Sequence, residues 1–331
     1  MPFSFSARNI GFIGFVAVAT AALNKPGISL VACTLAILSL SQVLKLPVPV
    51  AILSAVAGFA PPLFLRAYRQ RPVEALLVTG ALFILTSVIF VEIRHVQLRH
   101  RRLHAPLSTA RMWSQAKTPE LQGHPRYVLA VLGSGGHTKE MLLMMEHSFP
   151  GSRNFHRRYL VTSGDHISLK HLKAFEERVK EGKKASGTYD TFVVTRARRV
   201  HQPLSTVPWS ALRSILDIFP VLLSRPKAAT VGKLMAYPDV IVTNGPATGF
   251  FVALLAHMLK IFYVVPEDKM QVLFIESWAR IKTLSLTGKL LYYTGIPDLF
   301  LVQHEDVARK YGLLNAGWLV LPSVLRTRVV Q

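Results

Sequence analysis

Apolar residues fall along this chain in two patterns, and the change comes near residue 100. From Ile10 to Val91 the sequence is almost continuously apolar, broken at Asn24-Lys25-Pro26, at Lys45-Leu46-Pro47 and between Pro61 and Pro72. A stretch with no polar face must be buried all round, and about 20 such residues cross a hydrocarbon core. Val73 to Val91 is the clearest span, its one charge, Glu74, lying at the very edge. Ile28 to Leu44 and Val48 to Leu65 are companion segments, while Ile10 to Leu23 is short enough for a signal-like or interfacial piece. Residues 1–98 are therefore read as a membrane anchor of one to four segments, and 99–125 as a basic linker.

Beyond residue 126 the apolar runs shorten and recur between helical stretches. Val128 to Leu132, Tyr159 to Thr162, Thr191 to Thr195, Val240 to Thr243, Val272 to Ile275 and Leu299 to Val302 read as short buried strands. Strands alternating with helices predict an α/β domain over 126–331, a Rossmann-like doubly wound parallel sheet with helices on both faces. Ligands in such sheets bind beyond the carboxyl ends of the strands, so the chemistry is expected in the loops that follow them.

The first of these loops is the most informative. Tyr127 to Leu132 breaks into Gly133-Ser134-Gly135-Gly136-His137-Thr138 and passes at once into an amphipathic helix. Glycines let the backbone turn tightly and approach a ligand, and the free N–H groups at a helix start favour an anion, here phosphate or diphosphate. The loop lacks the Lys-Ser or Lys-Thr ending of a P-loop, and its spelling is not that of a dinucleotide fingerprint. Further loops add polar groups to the same edge: Ser163-Gly-Asp165-His166, Arg196-Ala-Arg198-Arg-Val-His201-Gln202, Asn244-Gly245-Pro-Ala-Thr248-Gly249 and Glu276-Ser-Trp-Ala-Arg280.

Charge and cysteine content narrow the setting. The net charge is +21, with the excess mostly in Arg94 to Arg102, Arg153 to Arg158, Lys170 to Lys184 and Arg196 to Arg199. These clusters lack interleaved aromatics and any recognition-helix pattern, so nucleic acid is not the expected partner; anionic headgroups or a diphosphate substrate fit better beside a membrane anchor, with about half of the charge assigned to a solvated surface. Arg94 to Arg102 after the last span marks the cytosolic side, although Arg66, Arg69 and Arg71 before it argue the other way. The lone cysteine, Cys33, excludes a disulfide framework within the chain, and the twelve histidines form no metal-binding spacing. No metal or cofactor is expected.

Taken in order, Gly133-Ser-Gly-Gly-His-Thr-Lys-Glu-Met141, Arg196-Ala-Arg198 with His201-Gln202, Thr243-Asn-Gly-Pro246, the block Ile275 to Tyr292 and Phe300-Leu-Val-Gln303 resemble the membrane-anchoring subunit of the UDP-N-acetylglucosamine transferase that adds the second sugar to dolichol-linked oligosaccharide in asparagine-linked glycosylation. The resemblance covers nearly everything after residue 126. It implies the acceptor-binding half of a two-lobed (GT-B) glycosyltransferase, a separate donor-binding subunit as partner, N-acetylglucosaminyl-diphosphodolichol as acceptor, inversion at the sugar carbon, and a place on the cytosolic face of the endoplasmic reticulum membrane. The family usually shows Gly-Pro-Gly-Thr where this chain has Gly245-Pro-Ala247-Thr248, and Pro266 to Gln271 looks like a short insertion.

On that resemblance Gly133, Ser134, Gly135, Gly136 and Thr138 cradle the lipid diphosphate, with Arg196, Arg198, Asn244, Gly245 and Thr248 around it. The base that takes the acceptor hydroxyl proton is Asp165 or His137, with Asp165 slightly preferred; Asp165 as a helix cap is the competing reading. Glu276 and Arg280, four apart, are read as supporting residues that bond each other on one helical turn. Pro203 to Leu223 is either core packing or a helix in the membrane interface, and Gly317 to Leu321 either docks the partner or forms a last edge strand. A membrane-tethered dinucleotide oxidoreductase and a scaffold without a substrate role remain as rival classes.

Overall fold

In a computed structural model the described residues are 71–104, 126–148, 155–182, 186–197, 203–227, 235–245, 247–317 and 319. The apolar segments before residue 71, the 105–125 part of the linker, Arg198 and His201-Gln202 lie outside them. The chain divides into two compact units, Met1–Gln97 and Leu98–Gln331.

In the first unit the described part is a helix, α1 (Pro72–His104), which runs on into the second. Most of its large apolar side chains, among them Leu77, Phe83 and Ile84, are exposed, while Phe90 and Leu98 are buried. Pro72–Arg102 is, among the described residues, the one helix long and apolar enough to cross a membrane by length and composition. Arg101 and Arg102, expected in a linker, are helical.

The second unit is built on a seven-stranded sheet, every neighbouring pair parallel, in the order β3-β2-β1-β4-β5-β6-β7. The strands are β1 (Arg126–Val131), β2 (Phe155–Thr162), β3 (Thr188–Val194), β4 (Val240–Thr243), β5 (Gln271–Ile275), β6 (Leu299–Val302) and β7 (Leu314–Asn315). Between them run α2 (Gly136–Ser148), α3 (His166–Gly182), α4 (Val207–Leu223), α5 (Ala247–Ile261), α6 (Leu286–Thr294) and α7 (Glu305–Tyr311). The expected doubly wound sheet is present, and its two faces carry separate cores. Leu129, Val131, Ile218, Ile241, Val252 and Phe274 pack on one side, and Val128, Ala130, Leu132, Met141, Phe175 and Val242 on the other. The alternation along β1 and β4 delivers successive side chains to opposite faces.

β2 begins earlier than its apolar run suggests. His156, Arg157 and Arg158 are strand residues and buried, because each finds a partner: Arg157 pairs with Glu176 at 2.8 Å and Arg158 with Asp190 at 2.7 Å. The cluster Arg153 to Arg158 is therefore not a solvated patch or lipid contact at these two positions. Arg102 likewise meets Asp298 at 2.8 Å. Among the described residues the last strand is β7, upstream of Gly317; Trp318, Val320 and Leu321 of the apolar tail lie outside them.

In α4 the core-packing reading of Pro203 to Leu223 holds for one face. Ile218, Val221 and Leu222 join the core, while Trp209, Leu212, Leu216 and Phe219 are exposed. Pro266–Met270 forms a turn at the start of β5 in which Lys269 reaches Asp239 at 2.6 Å; it lies at the sheet edge opposite the glycine loop.

Candidate functional site

Strand order reverses at β1, whose neighbours are β2 on one side and β4 on the other. At such a switch point the connections leave in opposite directions and open a crevice beyond the strand ends. The loops after β1 and β4, the two glycine-bearing turns, face each other there. Asn244 Nδ2 donates to the His137 carbonyl at 2.8 Å, and Gly245, at φ 116°, places its Cα against the His137 ring, where an added Cβ would meet Cε1 at 3.4 Å.

The glycine loop is held from below and open above. Gly133 is buried, and its carbonyl accepts from the Thr138 hydroxyl. The Ser168 hydroxyl lies 3.0 Å from that carbonyl, 2.7 Å from Thr138 Oγ1 and 2.7 Å from Asp165 Oδ2. Thr138 thus sits beneath the loop, fully buried, with its hydroxyl closing the loop from below. Ser134 and Gly136 are exposed. Gly135 has φ 60°, and a Cβ at Gly135 or Gly136 would meet nothing within 4 Å. At Gly135 the backbone conformation calls for glycine; at Gly136 what remains is open space beside the first amides of α2.

Asp165 is 7% exposed and stands at the start of α3. Its Oδ1 accepts from the Ser168 amide at 3.0 Å and its Oδ2 faces the Ser168 hydroxyl, the arrangement of a helix cap. Through Ser168 it also supports Gly133. His137 sits differently: its side chain is 38% exposed, while its Nδ1 is buried without a hydrogen-bond partner among the described residues. Thr243 Oγ1, at the end of β4, and Asn244 Oδ1, in the turn that follows, share that state. Buried polar atoms are normally paired, and a cluster of exceptions at a crevice marks a place completed by a ligand or water.

Arg196 follows β3, two strands away from β1, so sheet spacing sets it about 10 Å to the side; its amide donates to Ser163 Oγ at 3.4 Å. Thr248 is buried in the first turn of α5.

Glu276 and Arg280 do not share a helical turn, since residues 276–285 form no helix and α6 begins at Leu286. Arg280 is exposed. The Glu276 carboxylate instead accepts from Ser277 N at 3.1 Å, Ser285 N at 3.0 Å and Ser285 Oγ at 3.1 Å, stapling the loop between β5 and α6. Burial pushes its carboxyl above the usual range, opposed by these hydrogen bonds and by the Arg280 charge. A Cβ at Gly288 would collide with this carboxylate, which explains the glycine in the block Ile275 to Tyr292. Glu140 and Gln303, which stand in the quoted motifs without an assigned role, complete the same region. Glu140 accepts from Trp278 N at 2.7 Å, Gln303 Nε2 at 2.8 Å and Ser277 Oγ at 3.0 Å. Its spacing of three from His137 within a helix was the signal available.

The same stretch of chain that builds this site matches a known family. Residues 128–319 fit the family model described as oligosaccharide biosynthesis protein Alg14 like. The chain belongs to the Alg14 family. Among its curated relatives, the UDP-N-acetylglucosamine transferase subunit alg14 of Schizosaccharomyces pombe is 32% identical over 195 residues, covering 59% of this chain and 83% of the relative. That of Aspergillus fumigatus is 34% identical over 197 residues, 47% of this chain and 86% of the relative. The human subunit ALG14 is 29% identical over 187 residues, 56% and 78% respectively. The Alg14 match runs from the third residue of β1 through β7 and takes in the loops after β1, β4 and β5; it begins downstream of α1.

Proposed function

We propose that the chain is the membrane-anchored, acceptor-holding subunit of a two-chain glycosyltransferase that moves N-acetylglucosamine from UDP-N-acetylglucosamine to N-acetylglucosaminyl-diphosphodolichol, with inversion, on the cytosolic face of the endoplasmic reticulum. The observation that carries this reading is the crevice between the β1 and β4 turns, where glycine-loop amides adjoin buried polar atoms without partners among the described residues. A diphosphate is the natural complement to such amides. α1 suits a protein whose acceptor stays in the bilayer, and the relatives' names, as subunits, support a separate donor-binding chain.

Gly133, Ser134, Gly135 and Gly136 hold the diphosphate through backbone amides, with Asn244, Gly245 and Thr248 forming the opposite wall and Arg196 and Arg198 supplying charge from the β3 loop. Thr138 acts from below by shaping the loop. His137 takes the proton of the acceptor hydroxyl, since part of its ring is exposed in the crevice; Asp165 serves as the cap of α3. The acceptor oxygen attacks the anomeric carbon of the donor sugar from the face opposite UDP, which leaves with the bonding electron pair.

Co-expression of the full chain with and without a donor-binding subunit, assayed for transfer to a diphosphate-lipid acceptor in membranes, tests this. Activity is expected only with both chains. Full activity from this chain alone would overturn the division of labour.

A further inference from the structure

Glu140 stands one helical turn beyond His137, and its carboxylate is 10% exposed. Oε1 accepts from Trp278 N and Gln303 Nε2; Oε2 accepts from Ser277 Oγ and lies 4.0 Å from His137 Nδ1. A carboxylate offers about four acceptor positions. The clamp fills three and leaves the remaining one toward the imidazole. Nδ1 in turn is buried without a hydrogen-bond partner among the described residues, and the group it faces can only accept.

We infer that Glu140 is a positioning residue that holds His137 in the Nδ1–H tautomer and so leaves the Nε2 lone pair to receive the acceptor hydroxyl proton. This rests on the acceptor-holding reading above and deepens it. A neutral imidazole donates from one nitrogen and accepts at the other, and the partner of the first decides which. The gap of 4.0 Å exceeds a hydrogen bond by about 1 Å, and such bonds in unliganded sites tighten when substrate is bound. Small turns of the ring suffice, because Gly245 leaves it room: a side chain there would press on Cε1.

The arrangement also gives the loop after β5 a task. Glu276 fixes Ser285 and Ser277, Ser277 and Trp278 fix Glu140, and Gln303 joins Glu140 to the Glu276 carbonyl at 3.0 Å. The carboxylate is thereby locked in one orientation by β5, β6 and α2 together. During transfer the proton moves from the acceptor oxygen to His137 Nε2, the oxygen bonds to the anomeric carbon, and the bond to UDP breaks with its electrons. Glu140 keeps its charge throughout and stabilises the imidazolium that forms.

The test is a double-mutant cycle in membranes holding the full chain and its donor-binding partner. Glu140→Gln turns a donor toward Nδ1 and favours the wrong tautomer. It should lower kcat by about 10²-fold to 10³-fold, with acceptor KM within about threefold. In a His137→Ala background the same change should cost less than about threefold more, since groups acting as a unit are not additive. A residue that only supports the loop would cost the same factor in both backgrounds, and that outcome overturns the inference, as does near-normal kcat for Glu140→Gln. If Glu140→Gln fails to accumulate, Glu140→Asp, which withdraws the charge by one methylene, is put through the same cycle with the same expectation. An unsubstituted complex that does not transfer to a diphosphate lipid would refute the acceptor reading itself, a distinct result.

Discussion

At the N-terminal edge of the sheet Arg158 is fully buried and saturated: it binds Asp190 through two nitrogens and donates to the carbonyls of Val221 and Ser224. At the C-terminal edge His137 Nδ1, Thr243 Oγ1 and Asn244 Oδ1 are buried without partners among the described residues. Both edges carry polar atoms out of water; at the first the buried charges find partners inside the chain, although Tyr127 Oη and His156 Nε2 make no hydrogen bond among the described residues, whereas at the second the orphaned atoms flank glycine amides. The first edge also pairs buried Lys260 with Asp298 at 3.3 Å and the partly exposed Lys269 with Asp239 at 2.6 Å, and it sets His156 3.4 Å from Asp190. Buried charge with every partner present is structure. Unpartnered polar atoms beside glycine amides point to something that arrives from outside.

The contrast breaks most visibly at its closed end. Asp190→Ala strands the Arg158 guanidinium in the interior and is expected to cost about 3–5 kcal/mol, read as a lowered urea midpoint; a change under about 1 kcal/mol would mean that the pair is not needed. The pH dependence carries the same information. Burial alone would raise the Asp190 carboxyl, but hydrogen bonds from Arg158 and His156 hold it well below the usual carboxylate range. Its stabilisation is therefore present above about pH 4 and is lost as the pH falls through and below that value. The urea midpoint of the unsubstituted protein should fall more steeply on acidification than that of Asp190→Ala.

At the open end, Gly135→Ala imposes a side chain on a left-handed backbone with no steric neighbour. It should cost about 1–2 kcal/mol of stability and raise acceptor KM as the loop amides turn away. Gly136→Ala, at an ordinary φ in equally open space, should shift folding stability by under about 0.5 kcal/mol. Equal destabilisation by both would remove the backbone argument.

Asp165→Ala, also a small change, is the most discriminating. As a cap it should cost about 1 kcal/mol and less than tenfold in kcat. A loss of 10² or more at unchanged stability would move the base from His137 to Asp165.

How legible this was depended on what a residue's surroundings add to its type. The periodicity gave the parallel sheet and placed β4 and β6 at their observed bounds, because buried parallel strands are apolar on both faces. The first half of β2 was hidden because Arg157 and Arg158 look solvated until Glu176 and Asp190, 19 and 32 residues away, are folded onto them. The glycine loop was visible as a motif, and Gly135 needs its glycine for the reason the motif suggests. That the Thr138 hydroxyl turns under the loop was not legible, since its direction is set by Gly133 and Ser168 and not by the motif. Glu276 with Arg280 looked like a helical pair, but the following serines offered the carboxylate better donors and kept the chain out of a helix until Leu286. Glu140 was overlooked because its partners Ser277, Trp278 and Gln303 lie more than 130 residues away.

Photocrosslinking tests the central claim most directly. A diphosphate-lipid acceptor analogue carrying a photoreactive group beside the diphosphate, activated in membranes that hold the assembled complex, should label residues 133–137 and 244–248. Labelling confined to the opposite sheet edge, around Asp239 and Lys269, with the β1 loop untouched, would contradict the account.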